Sequence, residues 1–250
     1  MMEFMDKSEI IELPEFRDRI RVFRDRASAG KVLAGMLREY RNSNAIVMAI
    51  PAGGVAVAVE MANELRLPLD VAVVSKITLP WDTEAGYGAV AFDGTVMLNE
   101  ELLSRINLSN REIQEGIKKT EQKVARRVKM FRGSQPLPDF KHPIILVDDG
   151  LASGFTLRVA IKALRKAGAT NIILAVPTAH LESAQTILDE VEAIYCPNLR
   201  GGLSFAVAHA YGQWSDLDEQ EVIGILKVSQ DKAAQWLPLR PPRANRPHQE

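Results

Sequence analysis

Short apolar runs at residues 46–50, 69–77, 144–147, 172–176 and 191–195 are separated by segments of helical period, and this alternation restricts the fold more than any other feature of the chain. Most of the runs lack polar alternation, as expected of strands covered on both faces. Helices are expected over 28–40, 54–65, 109–131, 154–166 and 180–190. In the fourth, Leu157, Ala160, Ile161 and Leu164 occupy positions i, i+3, i+4 and i+7 of one face, and Gly168 stands where a left-handed cap would end it. Ser109 and Glu112 spell a capping box at the start of the third. Strands alternating with helices imply parallel β-α-β units. The expected fold is therefore a three-layer, doubly wound, mainly parallel α/β sheet with its site at the carboxyl ends of the strands. One stretch breaks the alternation: residues 86–92 and 95–98 flank Asp93-Gly94, a hairpin signal, so a flap is expected over 81–99.

The chain has 250 residues, 46% of them hydrophobic, enough for a continuous core. Lys and Arg number 31 against 32 Asp and Glu, a net charge of −1, which gives no reason to expect general nucleic-acid binding. The single cysteine, Cys196, excludes an intrachain disulfide framework and a cysteine-rich zinc module. The opening MMEFMDKSEI has neither the basic stretch nor the apolar run of a signal peptide. The longest strongly apolar window, 46–59, is broken by Pro51, Gly53 and Gly54 and falls short of a membrane span. A cytoplasmic protein without membrane attachment is the expectation. Pro238, Pro241, Pro242 and Pro247 gather near the end with Arg240, Arg243 and Arg246. Three parts follow: an extension over 1–21, a main domain over 22–228 with a small subregion at 196–226, and a poorly ordered Pro/Arg-rich tail over 229–250.

The segment from Ile145 to Leu157 carries the most chemistry. An apolar strand runs into two adjacent carboxylates, Asp148 and Asp149, then into Gly150, Leu151, Ala152, Ser153, Gly154, Phe155 and Thr156, and then into a helix. Small residues let the backbone approach a ligand, and the free amides that open a helix form an anion site suited to a phosphate. Ser153 and Thr156 add hydroxyl donors, while the two acids are placed to accept from the cis-diol of a sugar or to hold Mg²⁺ indirectly. Phosphate and diol together describe a ribose 5-phosphate. The plain alternative is that Asp149 caps a turn and Gly154 starts a helix. Two carboxylates at the mouth of a buried strand need a partner, which favours a site.

This segment resembles the phosphoribosyl-pyrophosphate (PRPP) binding motif of type I phosphoribosyltransferases, matching it in character at every place. Phe23-Arg-Asp-Arg26, Pro51-Ala-Gly-Gly-Val55, the stretch from Leu69 to Lys76, Gly88-Ala-Val90 and Leu98-Asn-Glu100 occur in the order found in a branch of predicted phosphoribosyltransferases, so the resemblance spans residues 22–226. It implies a Rossmann-like enzyme of nucleotide metabolism that transfers 5-phosphoribosyl from PRPP, with Mg²⁺ carried by the substrate, to a nucleobase-like acceptor. A homodimer is common in the family. The same resemblance makes residues 51–55 the loop that receives pyrophosphate, through Ala52, Gly53 and Gly54. From the residues alone this is a second glycine turn after a strand, delivering amides to an anion or simply joining strand to helix. The branch usually carries Arg where this chain has Ala52. Lys76, expected at the end of its strand and at the same sheet edge as Asp148, could neutralise the leaving charge, as a basic residue does in family members, or be a solvated strand-end lysine. Asp148, Asp149 and Lys76 are thus the catalytic candidates. A variable hood over the acceptor falls to the first twenty-odd residues and to 197–214. A different class of function, a PRPP- or nucleotide-sensing module without turnover, is compatible with Ala52.

Other constellations point elsewhere only faintly. Arg24 and Arg26 could reach a phosphate, although an arginine-rich first turn is more often a solvated surface. Residues 109–132 carry eight basic and three acidic side chains, with Ile113, Ile117, Val124 and Val128 on a stripe, which describes an amphipathic helix with a solvated basic face. His142, His180, His209 and His248 show no metal-ligand spacing. Gly202-Leu-Ser-Phe-Ala206 misses the nucleophile elbow at its last position. No GxGxxG or Walker A string occurs. Trp81 and Tyr87 bracket the flap and could stack on a base or pack beneath it.

Overall fold

The computed structural model describes residues 8–202 and 204–236. Six strands form the central sheet: β1 (Glu9–Ile11), β2 (Ile46–Ala49), β3 (Leu69–Val71), β7 (Ile144–Val147), β8 (Ile172–Ala175) and β10 (Ala193–Tyr195), in the order β1-β10-β8-β7-β2-β3. Every neighbouring pair is parallel. The central strands β2, β7 and β8 are buried at every position, which explains their unbroken apolar sequence. Val47, Ala49, Ile145, Val147, Ile173 and Ala175 join one core, which includes residues of α1 (Arg26–Met36), α2 (Gly53–Leu65), α4 (Asn110–Arg132) and α7 (Glu219–Trp236). The alternate residues Ile46, Met48, Ile144, Leu146, Ile172 and Leu174 join a second core with α5 (Phe155–Lys166) and α6 (Leu181–Leu188). The period of two divides one sheet between two helical layers, and the three-layer α/β fold is the one expected.

Capping places the helix starts. The Asp25 carboxylate accepts from the Ser28 amide and the Ser28 hydroxyl accepts from the Asp25 amide, so α1 begins at Arg26, two residues before the expected start. Ser109 and Glu112 form the expected box on α4, and Gly168 adopts φ +102° just past α5.

Three expectations are corrected. The apolar run 69–77 is not one strand. It supplies β3 to the parallel sheet and then β4 (Val74–Leu79) to a separate antiparallel sheet with β5 (Asp82–Ala91) and β6 (Val96–Leu98). A run with no polar punctuation does not reveal which sheet each part joins. The flap is therefore three-stranded and starts earlier than position 81, with Gly94 at φ +82° in the anticipated Asp93-Gly94 turn. Second, the boundary expected at Val22 does not separate an extension, because β1 pairs with β10 inside the main sheet. Third, α7 runs on to Trp236, across the expected start of the tail at Ser229, and Ser229 is buried. The prolines and arginines beyond it lie outside the described residues. The subregion 196–226 also divides: β11 (Asn198–Arg200) pairs with β9 (Thr178–His180), whereas α7 packs on α2. The two segments assigned to the hood do meet, since Asn198 Nδ2 donates to the Phe16 carbonyl and the Gly201 amide donates to Asp18 Oδ1. No helix among the described residues is long and apolar enough to cross a membrane.

Candidate active site

Connections run outward in opposite directions from the central pair β7 and β2: β2 leads through α2 to β3, and β7 leads through α5 to β8. A crevice opens at the carboxyl ends of two such strands because the loops that follow them diverge. Residues 50–53 follow β2, and Asp148, Asp149 and the small-residue loop follow β7. Residues 50–53, Asp148 and Asp149 line a cleft of about 320 Å³ together with residues 74–76 and Thr78 of the flap, Thr156 of α5, and Lys123 and Arg127 of α4.

The two glycines of the first loop are fixed by close approach. A Cβ on Gly53 would lie 1.8 Å from Asp149 Oδ2, and one on Gly54 would lie 2.8 Å from the Val147 carbonyl oxygen and 2.9 Å from Asp148 Cα. The loop can press against the acid pair only because both side chains are missing. The Pro51–Ala52 peptide is cis.

The adjacent acids have different surroundings. Asp149 Oδ2 accepts from Arg26 Nε at 2.8 Å, and the Asp149 carbonyl accepts from the Tyr211 hydroxyl at 2.6 Å. Arg26 also donates to the Ser215 carbonyl at 2.7 Å and lies 3.9 Å from the centre of the Trp214 ring, a cation–π contact. Asp148 Oδ1 accepts the Asp149 amide at 2.8 Å. Burial, and then the charge of Asp149, push the Asp148 carboxyl well above the usual carboxylate range.

In the loop after β7, Leu151 is fully buried and exchanges backbone hydrogen bonds with Thr178 and His180, so its side chain belongs to the core. Ala152 and Ser153 are exposed. Gly154 caps α5 in the left-handed region at φ +73°, where a Cβ would also lie 2.4 Å from Ile187 Cδ1. The first-turn amides of α5 thus open beside Thr156, which borders the cleft. A second cavity, of about 280 Å³, shares Lys76 and Thr156 with the first and is lined by Ser153, Phe155, Gly88 and Asn99.

The site residues named from the sequence therefore divide. Ala52, Gly53, Lys76, Asp148, Asp149 and Thr156 line one cleft; Ser153 and Phe155 line its neighbour; Gly54 supports the acid pair; Leu151 faces inward. Lys76 reaches the cleft from within β4 of the flap, opposite Ala89 of β5, rather than from the end of a parallel strand. Arg24 is solvated, paired with Asp25 and 74% exposed, but Arg26 is not: its side chain is 10% exposed and holds Asp149. Tyr87 is buried, and a Cβ on Gly116 of α4 would come within 2.1 Å of its hydroxyl, so it packs beneath the flap and is unavailable for stacking. Trp81 is 64% exposed. Lys123 and Arg127, expected on a solvated helix face, line the cleft instead; their i, i+4 spacing within a strongly basic helix is the one sequence signal of a shared direction.

Known proteins resemble the chain in sequence and in fold. Residues 93–210 match the family described as the phosphoribosyl transferase domain, a span that includes the acid pair and the loop after β7. Two Mycobacterium tuberculosis proteins, from strains CDC 1551 and H37Rv and provisionally named phosphoribosyl transferases, are each 32% identical over 211 residues, which is 83% of this chain and 47% of theirs. The chain thus spans about half the length of these curated relatives. The crystal structure of TT1426 from Thermus thermophilus is 28% identical and superimposes with a TM-score of 0.64 over 83% of this chain and 98% of that one. The protein belongs to the phosphoribosyl transferase domain family.

Proposed function

We propose that the protein transfers 5-phosphoribosyl from PRPP to a nitrogenous base and releases pyrophosphate. The carrying observation is the convergence on one cleft of a glycine turn, an acid pair, the start of a helix and basic side chains from two elements. In the reaction the C1–O bond to the diphosphate breaks, a C1–N bond to the base forms, and the proton of the base nitrogen passes to water or the departing diphosphate. Positive charge gathers on the ribose and negative charge on the leaving group, so the protein contributes by positioning and by offsetting charge, with no covalent intermediate on a side chain. Asp148 and Asp149 face the ribose hydroxyls, with Asp149 held in place by Arg26. The α5 amides, Ser153 and Thr156 grip the 5-phosphate, and residues 52–54 with Lys76 meet the diphosphate. The flap that carries Lys76 excludes water, whose attack is the competing reaction.

Among the described residues no three His, Cys, Asp or Glu side chains converge as a metal cage. With one carboxylate of the pair committed to Arg26, the residues present do not form a cage for a resident ion but leave Asp148 to face an Mg²⁺ brought in by the diphosphate. When bound, the ion would offset charge on the leaving group. A second reading, a PRPP-sensing module without turnover, is favoured by Ala52, which offers the diphosphate no cation.

Calorimetric titration with PRPP and Mg²⁺, followed by a pyrophosphate-release assay over a panel of bases, tests both. Binding with release supports the transferase, binding without release on any base supports the sensor, and no binding refutes both. In the transferase the double variant Asp148→Asn/Asp149→Asn should abolish PRPP-dependent release; turnover at the wild-type rate would refute the assignment of the acids.

A further inference from the structure

Resting on that reading, we infer that Lys123 and Arg127 form a cationic wall that binds the diphosphate, supplying from α4 the charge that the loop lacks at Ala52. Both residues line the cleft that contains Ala52, Gly53 and Asp148, and they are one turn apart on the same helix. Three other arginines of that helix are committed to carboxylates away from the cleft. Arg111 pairs with Glu115, Arg126 with Glu219 and Arg132 with Asp70, each at 2.8 Å. Among the described residues Lys123 makes no ion pair, and Lys76 across the cleft makes none. Arg127 is 11% exposed, with Nε in ion-pair range of Glu219 at 3.3 Å but without a hydrogen-bond partner.

The balance of charge favours an anion. Of the two carboxylates in the cleft, Asp149 is already held by Arg26, so one negative charge there is compensated before any ligand enters. Partial burial and the neighbouring guanidinium of Arg127 lower the Lys123 ammonium below its ordinary value. Lys76 and Lys123 have no ion-pair partner among the described residues and Arg127 shares Glu219 with Arg126, so the cations of the cleft outnumber their carboxylates, and a diphosphate relieves that repulsion. The helix is also firmly placed, because Gly116 seats against Tyr87 of the flap and Thr120 and Val124 are buried. Its cations therefore face the cleft without waiting for a loop to order, which strengthens charge stabilisation.

The test is calorimetry with magnesium pyrophosphate and, separately, with ribose 5-phosphate. The wild-type protein should bind both. Lys123→Ala should weaken pyrophosphate about tenfold, the loss expected for one charged hydrogen bond, and Lys123→Ala/Arg127→Gln should weaken it further. Ribose 5-phosphate affinity should be unchanged in both variants. Lys123→Arg should keep wild-type pyrophosphate affinity, which separates charge from packing. Should the double variant unfold, Lys123→Ala alone decides, since its side chain reaches solvent. Undiminished pyrophosphate binding in Lys123→Ala, with ribose 5-phosphate still bound, overturns this inference and leaves the proposed function standing. Failure of the wild-type protein to bind either ligand overturns both.

Discussion

Asp148 and Asp149 are identical in sequence chemistry and adjacent, yet Asp149 has an arginine partner, whereas Asp148 accepts the backbone amide of its neighbour. A carboxyl whose folded value is raised opposes folding as pH climbs through its unfolded value near 4, and the penalty grows until the folded value is passed. Asp148→Asn removes that penalty. We expect its Tm at pH 7 to rise by about 2–4 °C, the shift for about 1 kcal/mol in a chain of this size, with no gain at pH 3, while PRPP binding is lost. Thermal melts across that range check the sign; a variant no more stable than wild type at pH 7 would show that the carboxylate finds stabilising partners. At this scale the sequence was most legible where a residue's own chemistry dictated its place, as with the acids after a buried strand and the glycines of residues 53–54. Arg26 was not legible, because its partner lies 123 positions away.

The element that proved least legible is the run 69–77, whose two halves enter different sheets. Backbone pairing decided the break: the Ala72 amide still donates to the Ala49 carbonyl of β2, and by Val74 the chain is paired antiparallel with Ala91. The flap so formed rests on α4 through Tyr87 and Gly116. Gly116→Ala should gain up to about 1 kcal/mol in helix propensity but lose about 1–3 kcal/mol through overpacking against the buried ring. The net expectation is destabilisation, read as a lower urea midpoint. A midpoint above that of wild type would show that the ring moves aside at no cost. Capping was readable in α4 and α5, since Ser109, Glu112 and Gly168 act through neighbours in the chain.

Across the whole molecule, the site exists because the loops after β2 and β7 diverge at the centre of a parallel sheet whose far edge is the N-terminal strand β1. A chain starting at Val22 would lose the β1–β10 ladder, the two hydrogen bonds from Asn198 to the Phe16 and Arg19 carbonyls, and the edge contact of Phe16 on Phe23. At about 1 kcal/mol per buried hydrogen bond, its Tm should fall by more than about 5 °C, as measured by calorimetry. An unchanged Tm would make the first twenty-one residues a dispensable extension after all.

The sequence by itself determined the two-sided burial of the strands, their alternation with helices, and the strand-acid-glycine-helix order at residues 145–157, because each follows from local pattern and from the cost of burying unpaired groups. Only the tertiary structure decided that Arg26 holds Asp149, that Lys76 arrives on a flap strand, and that Lys123 and Arg127 face the same cleft. Those relations join residues far apart in the chain, and periodicity records which side of an element is buried without recording what lies across from it.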